Sequence, residues 1–305
     1  MSTLHEERAV LGTLDAVSTL EGGGFLVRRP FPTARLDYIG PFLLLDEMGP
    51  ADNAPGEAKG APDHPHRGFE TVTYVLDGEI EHRDSQGNRG LITPGDVQWM
   101  TAGSGIVHSE MPSAKILQQG GRAHGFQLWV NLPRKAKWHR PRYQDLEAKD
   151  MPVVEFAGGS AVVIAGHTHG VDGAADTFLP VNYFHLKVYP EDEVALEIEP
   201  GHQAFVYVFR GDGTIGKNRE SVSSGQMAVF EEEAGQITVI GGSEGLEAMV
   251  GSSEPLDEPV ARYGPFVMNT REEIVQAFDD YREGRMGTIE PELSPSMESS
   301  AKGPT

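Results

Sequence analysis

Two closely spaced pairs of polar side chains bracket a run of strand-forming residues between positions 63 and 110. The first pair is His64 and His66, and the second is His108 and Glu110. Residues two apart in an extended strand point to the same face, so each pair presents its two side chains together. Turn sequences divide the intervening segment into hairpins at Asp77-Gly78, Gln86-Gly87-Asn88 and Pro94-Gly95. The pattern predicts a small β-barrel in which the second pair folds back over the first.

Three imidazoles and one carboxylate at one end of such a barrel would form a donor set for a divalent metal ion. The alternative is that these histidines only satisfy hydrogen bonds at the barrel rim. A single His-x-His is weak support for a metal site, and the chain contains another at His167-Thr168-His169, between Gly166 and Gly170. No His-x-Glu follows that second motif at a comparable distance, so we interpret it as an exposed turn.

Five stretches of the chain carry a family resemblance. They are Pro41–Glu47, Asp63–Asp77, Pro94–Glu110, His124–Leu132 and Gly264–Thr270. The second and third are similar to the two cupin motifs, with Gly103 where many cupins have proline, and together the five resemble the pirin family. The resemblance covers roughly residues 20 to 287. It implies an all-β fold of two stacked cupin (jelly-roll) barrels.

The second half of the chain repeats the first. Tyr207 to Gly211 matches Tyr74 to Gly78, and Gly225 to Phe230 matches Gly95 to Met100. With the same offsets, the positions that correspond to the four candidate ligands are Glu197, Glu199, Thr238 and Ile240. The second half therefore has no histidine at these positions. We therefore expect a metal-binding barrel at 9–135, a metal-free barrel with a terminal helix at 136–287, and a disordered tail at 288–305.

Several local structures follow from shorter patterns. Ala9 to Val27 predicts a strand hairpin, and Arg28 to Pro32 predicts an exposed basic turn whose arginines matter little for turnover. A short polar helix is expected near Tyr143–Lys149. Thr270 and Glu273 form a capping-box pattern. The helix that follows should bury one stripe and stop at Gly284, the stripe being Ile274, Phe278 and Tyr281.

Two glutamates compete for the fourth ligand position. Glu70 shares the parity of the first histidine pair and occupies the place of the general cupin ligand. Glu110 occupies the place of the pirin ligand, and the closer match to pirin favours Glu110. Glu70 would then accept a hydrogen bond near the site or pair with Arg67. A nitrogen-rich set suits Fe, Mn, Ni, Cu, Co or Zn, and the resemblance implies one iron ion, Fe(II).

Composition limits the remaining possibilities. The formal net charge of −21 disfavours direct binding of nucleic acid. The chain has no cysteine, which excludes disulfides and thiolate chemistry. Neither a signal-like apolar region nor a membrane-length apolar run is present in the sequence, so we expect a cytoplasmic protein without a membrane partner.

The resemblance implies two functions. Some pirins are similar to quercetin 2,3-dioxygenases, so the substrates would be a flavonol and dioxygen. Glu110 would be the catalytic base that takes the proton of the flavonol 3-hydroxyl. Phe42, Trp99 and Gln127 are candidate residues of the substrate cavity, and their alternative role is packing in the apolar core. The alternative is a metal- or redox-dependent regulator that binds a transcription factor or another protein partner without physiological catalysis. A cupin isomerase or sugar-binding protein fits the motifs less well.

Overall fold

A computed structural model describes residues 6–232 and 235–290 of the chain. The predicted disordered tail therefore lies outside the described residues beyond position 290. The strands and the helix of the first half are β1 Val10–Asp15, β2 Val17–Glu21, β3 Phe25–Phe31, β4 Phe42–Asn53, β5 Ala61–His66, β6 Phe69–Asp77, β7 Ile80–Asp84, β8 Arg89–Ile92, β9 Val97–Thr101, β10 Ile106–Pro112, α1 Ala114–Gln119, β11 Gly121–Asn131 and β12 Arg142–Leu146.

The second half contains twelve further strands and one α-helix among its described residues. They are β13 Val153–Phe156, β14 Gly159–Ala165, β15 His167–Thr168, β16 Val171–Asp172, β17 Val181–Val188, β18 Glu193–Ile198, β19 Gln203–Ile215, β20 Glu220–Ser223, β21 Gln226–Phe230, β22 Gly235–Ser253, β23 Ala261–Tyr263, β24 Phe266–Met268 and α2 Arg271–Arg282. Neither α-helix of the described residues has the length and apolar character needed to cross a membrane.

The first barrel is formed by two antiparallel sheets. One has the strand order β12-β9-β6-β11-β4-β3-β2, and the other has the order β5-β10-β7-β8. The sheets face each other, since Thr73 on β6 donates a hydrogen bond to Glu110 on β10. The second half forms a sheet in the order β1-β21-β19-β22-β17-β14-β13, to which β18 and β20 add. The predicted all-β fold of two stacked cupin barrels with a C-terminal helix is confirmed.

Each half of the chain contributes one strand to a sheet of the other half. β1 pairs with β21 in the second sheet, so the predicted N-terminal hairpin forms only between β2 and β3. β12 pairs with β9 in the first barrel, where Tyr143 lies opposite Met100. The helix predicted near Tyr143–Lys149 was therefore wrong. A short polar segment gains little from helix formation, whereas the edge of β9 offers unpaired backbone groups along its whole length.

One apolar core spans both barrels, and the second barrel contains a further apolar cluster of its own. Phe205 of β19 packs edge-on against Phe31 and Phe42, with ring centres 5.4 Å apart in both pairs. Trp99 is fully buried in the same core. Phe42 and Trp99 are therefore core residues, the second of the two roles that the sequence allowed them. The continuous core fixes one barrel against the other.

Helix α2 begins with the predicted capping box, in which Thr270 and Glu273 bond each other's backbone. Gly284 lies just beyond its end with a φ of +73°, as expected for a helix stop. The predicted buried stripe was wrong at Tyr281, which is 39% exposed. Asp280 is buried instead, because its carboxylate pairs with Arg67 of the first barrel at 2.7 Å.

Candidate metal centre

The three predicted histidines meet on adjacent strands of the four-stranded sheet. His108 on β10 lies directly opposite His64 on β5. The ring centres are 4.3 Å apart for this pair, 4.7 Å for His64 and His66, and 4.9 Å for His66 and His108. One candidate donor atom from each ring lies within 4.8 Å of the other two. Two-residue periodicity on paired strands thus brings the three imidazoles to one point, as the sequence predicts.

Two glycines hold the strand ends that carry these histidines. Gly68 has a φ of +87°, and a Cβ there would lie 1.9 Å from the carbonyl oxygen of Val267. The chain can therefore turn tightly after His66 beneath β24 only with glycine at this position. Gly103 has a φ of +50°. Proline, whose φ is fixed near −65°, cannot adopt that conformation, which explains the departure from the usual cupin motif.

Two of the imidazoles are buried, and two of the three are oriented by backbone carbonyls. Burial, reinforced by the neighbouring imidazoles, lowers the pKa of His66 and of His108 well below the usual range. His64 Nδ1 lies 2.8 Å from the carbonyl oxygen of Pro62, and His66 Nδ1 lies 3.4 Å from that of Pro265. A carbonyl can only accept, so Nδ1 carries the proton and Nε2 keeps its lone pair for a metal.

Glu110, the predicted fourth ligand, is not part of this group of donor atoms within 4.8 Å of one another; it is half-buried at the wall of a cavity. Its Oε1 accepts a hydrogen bond of 2.7 Å from the Thr73 hydroxyl, which also lies 3.1 Å from Gln127 Oε1. Gln127 Nε2 is buried and has no hydrogen-bond partner in the protein. The carboxylate is thus fixed by one neutral donor, and its second oxygen is left for another partner.

Glu70 lies in a different environment. It is buried on β6 and accepts a hydrogen bond of 2.7 Å from the Thr101 hydroxyl. Burial raises the pKa of Glu70 to about 7, and the Thr101 hydrogen bond opposes that rise. The proposed ion pair with Arg67 was wrong, because Arg67 directly follows β5 and reaches Asp280 on α2 instead.

Sequence reasoning missed two further side chains near the imidazoles. His82 on β7 lies opposite Glu110, and its ring centre is 5.2 Å from that of His108. Its Nε2 lies 3.0 Å from the hydroxyl of Tyr143 on β12. Burial lowers the pKa of His82. The alternation in Glu81-His82-Arg83-Asp84 is visible in the sequence, but only the register of β7 against β10 reveals that His82 approaches the group.

A cavity of about 1590 Å³ opens over the imidazoles and extends to the junction between the barrels. Near the candidate ligands its wall includes Gln127 and Trp129, and at the junction it includes Phe209 of the second barrel. Gln127 therefore takes the cavity role that the sequence allowed it. The cavity combines apolar walls with a few polar groups, which is typical of small-molecule sites.

Arg28 and Arg29 also line this cavity, so the predicted exposed basic turn was wrong. Both belong to β3 and are only half-exposed. Arg28 pairs with the buried Glu47 at 2.5 Å, and Arg29 forms two bonds to Asp46, of 2.7 and 2.6 Å. The proline that follows them permits an extended strand as readily as a turn, and carboxylates on β4 neutralise the two charges.

The register of the second barrel changes the predicted correspondence of ligand positions. His108 pairs with His64 in the first barrel, whereas Thr238 pairs with Ala195 in the second. The turn after β18 is longer than the turn after β5 by two residues. Adding the same number to every position of the first barrel therefore selects residues two positions too late in β18. His64 and His66 therefore correspond to Ala195 and Glu197, and Glu199 corresponds to neither histidine. The metal-free second barrel stays a prediction.

His167 and His169 lie on the small hairpin of β15 and β16, and both are exposed. His167 Nδ1 lies 2.7 Å from a carboxylate oxygen of Asp172. They form no group of candidate ligands with a third residue among the described parts of the chain. The interpretation of this second His-x-His as an exposed turn agrees with their positions.

Comparison with known proteins identifies the family. The family model of pirin matches residues 24–130, and that of the pirin C-terminal cupin domain matches residues 183–287. The chain belongs to the pirin family. A pirin-like protein of Solanum lycopersicum is 40% identical over 94% of this chain and 95% of its own length. Human pirin is 39% identical over 88% of this chain and 90% of its own length.

Other pirin relatives carry an enzyme name. A Pseudomonas aeruginosa protein with a provisional quercetin 2,3-dioxygenase name is 44% identical over 87% of this chain and 93% of its own length. The crystal structure of a quercetin 2,3-dioxygenase from Acinetobacter baumannii superposes with a TM-score of 0.88 at 38% identity, covering 93% of this chain and all of that one. These likenesses place the chain in a dioxygenase-like family of pirins.

Proposed function

We propose that the chain binds one divalent metal ion, iron in the working protein, through His64, His66, His108 and Glu110. The observation that supports this proposal is the convergence of three imidazoles on one point, with His64 and His66 at the cavity wall. Imidazole and carboxylate donors suit first-row transition metals. The unpartnered ring nitrogens of the buried His108 also fit a metal, because a buried polar atom without a partner is unfavourable.

We further propose that the loaded protein cleaves a flavonol such as quercetin with dioxygen. The quercetin 2,3-dioxygenase names of its relatives support this reaction class. The cavity of about 1590 Å³ is large enough for a three-ring substrate. When bound, the metal supplies an electrophile for the deprotonated flavonol and the redox chemistry that dioxygen requires.

The protein residues would orient the substrate and move one proton. Glu110 would accept the proton of the 3-hydroxyl, since its carboxylate faces the cavity and is held by Thr73. Gln127 Nε2 offers an unused donor to a substrate oxygen. Trp129 lies against His66 with ring centres 5.2 Å apart, so it can exclude water from one side of the site.

The test is dioxygen consumption with quercetin by metal-stripped protein reloaded with Fe(II). His64→Ala should lose metal and turnover together. His167→Ala is the matched control, because His167 is an exposed histidine of the second His-x-His. Elemental analysis should give one metal per chain in the wild type and in the control. Two tightly bound metals per chain, or His64→Ala with full metal content, would contradict the assigned ligands.

The same experiment distinguishes the dioxygenase proposal from the regulatory alternative. Wild-type protein that binds one iron ion but does not consume dioxygen with quercetin would contradict the dioxygenase proposal. It would favour a metal-dependent binding protein instead. Raw affinity follows the Irving–Williams order, so activity must be compared after reloading with Fe, Mn, Ni, Cu, Co and Zn separately. The cytoplasmic location stays a prediction.

A further inference from the structure

One wall of the cavity carries a row of polar side chains across four neighbouring strands. Gln127 on β11 lies directly opposite Thr73 on β6 and Asp46 on β4. Directly opposite residues of an antiparallel pair point to the same face of the sheet. Arg29 on β3 donates to the Asp46 carboxylate through Nε at 2.7 Å and Nη2 at 2.6 Å. The Thr73 hydroxyl, at the other end, donates to Glu110 at 2.7 Å. This polar row therefore leads away from the candidate metal centre.

Apolar groups flank the polar row on both sides. Leu44 precedes Asp46 by two residues and lies opposite Trp129, and Met48 follows Asp46 by two residues and lies opposite Gly125. Residues two apart in a strand share a face, and all of these residues line the cavity. A ligand that lies along the row therefore meets hydrogen-bonding groups along its length and apolar surface on either side. Flat aromatic rings that carry hydroxyls at their edges suit this arrangement.

Two members of the row have hydrogen-bonding capacity beyond the bonds they make within the described residues. Gln127 Nε2 is buried and has no partner. Asp46 is only 4% exposed, and each of its oxygens accepts one bond from Arg29. A carboxylate can accept about four hydrogen bonds. Because Arg29 compensates the charge of Asp46, a neutral hydroxyl is a suitable further donor to this carboxylate.

The length of the row fits a molecule of two or three joined aromatic rings. Neighbouring strands lie about 4.8 Å apart, so Asp46 lies about 10 Å from Thr73, two strands away. Glu110 is bonded to Thr73 at the near end of the row. A molecule with one hydroxyl at Glu110 can therefore place a second hydroxyl, on another ring, at Asp46.

We propose that Arg29 and Asp46 determine the substrate specificity of the cavity, by binding a hydroxyl of a polyhydroxylated aromatic molecule remote from the hydroxyl at Glu110. This inference rests on the proposed function and narrows its substrate class. Asp46 accepts the remote hydroxyl, and Arg29 holds the Asp46 carboxylate in place and compensates its charge. Gln127 donates Nε2–H to a substrate oxygen between the two hydroxyls. A flavonol without further hydroxyls leaves Asp46 without this donor.

The experiment compares two flavonols on the same protein. Metal-stripped protein is titrated by calorimetry with quercetin, which has hydroxyls on both outer rings, and with 3-hydroxyflavone, which has only the 3-hydroxyl. Wild type should bind quercetin about 10- to 100-fold more tightly, the usual effect of a hydrogen bond to a charged group. The double variant Arg29→Met/Asp46→Leu removes both charges together, so no unpaired buried charge remains. It should lose the preference for quercetin, while its affinity for 3-hydroxyflavone changes little. Asp46→Asn, which keeps an acceptor oxygen, should retain part of the preference.

The control is an arginine of the same cavity that lies outside the row. Arg210 lines the cavity at the junction between the barrels and pairs with Glu247 at 2.8 Å. Arg210→Met should keep the wild-type preference. A ratio of two affinities is insensitive to partial unfolding, because loss of folded protein affects both titrations alike.

Three results would overturn the inference: equal affinity of wild type for the two flavonols, no binding of either, or a double variant that keeps the wild-type preference. Dioxygen consumption by Fe(II)-reloaded wild type tests the proposed function separately. No consumption with either flavonol would contradict the dioxygenase proposal, whereas a preference for quercetin in the calorimetry that the double variant loses would still support the specificity assigned to Arg29 and Asp46.

Discussion

The buried carboxyl of Glu70 should make the stability of the first barrel depend on pH. Burial raises its pKa from the ordinary 4.5 to about 7 in the folded protein. Between these two values the folded state binds more protons than the unfolded state, so stability falls as pH rises through this window. The loss expected between about pH 5 and about pH 8 is about 2 to 3 kcal/mol. Glu70→Gln has no proton to lose and should not show this part of the decrease.

The assay is urea unfolding of metal-stripped protein at both pH values, followed by tryptophan fluorescence. The chain has three tryptophans, of which Trp99 and Trp129 lie in strands of the first barrel. Trp138 lies over the Arg67 guanidinium beside that barrel, at 5.1 Å. The fluorescence therefore reports on the half that contains Glu70. Histidines and the other carboxylates titrate in both proteins, so their effects cancel when the variant is compared with wild type.

Thr101→Val is the matched control for the lost hydrogen bond. It deletes the donor to Glu70 but keeps the carboxyl, so it should lower stability while retaining or steepening the wild-type pH dependence. If wild type and Glu70→Gln instead show parallel decreases between the two pH values, Glu70 is not the group responsible. The pH dependence assigned to its burial would then be wrong.

Three further outcomes follow from the site and its surroundings. Glu110→Gln should lower quercetin turnover about 10²- to 10⁴-fold at matched iron content, the usual contribution of a general base. Glu70→Gln should lower it much less. If oxygen-electrode assays give the opposite order, Glu70 and not Glu110 is the carboxylate of the site. Asp280→Ala should cost about 3 to 5 kcal/mol in urea unfolding, because it leaves the buried charge of Arg67 without its carboxylate partner. The half-exposed neighbour Asp279→Ala should cost far less. Arg28→Ala should lower stability by about 1 to 2 kcal/mol, since it removes one of several hydrogen bonds to a buried carboxylate; an unchanged urea midpoint would return Arg28 to the exposed role expected from sequence.

Patterns with a fixed geometric period could be predicted from the sequence. His64, His66 and His108 meet because side-chain direction alternates along a strand and two paired strands share a face. The capping box at Thr270 is equally local, since both of its bonds lie within four residues. The first prediction needed only the assumption that hairpin turns fold the second pair of side chains back over the first, and the second needed no strand pairing. That is why the convergence of the three histidines and the start of α2 could be predicted without the structure, whereas metal binding by these histidines stays a prediction.

Most of the errors depend on contacts between distant parts of the chain. Arg28 was expected to be exposed because its carboxylate partner on β4 cannot be identified without strand pairing. Tyr143 was placed in a helix because the open edge of β9 lies about forty residues earlier in the chain. His82 was missed for the same reason, since its approach to His108 depends on the alignment of β7 with β10. The equivalence of His66 with Glu199 failed through a difference in turn length.

The candidate metal centre is completed by residues beyond the predicted boundary at position 135. Pro265 provides the carbonyl that orients His66, and Val267 donates its backbone N–H to the carbonyl oxygen of Arg67 at 3.0 Å. Asp280 neutralises the buried guanidinium of Arg67, and Tyr143 reaches His82. All four come from the second half of the chain. The second half has no histidines at the corresponding positions, yet it still supports the site. Its C-terminal segment contacts the end of β5, the strand on which two of the three imidazoles lie.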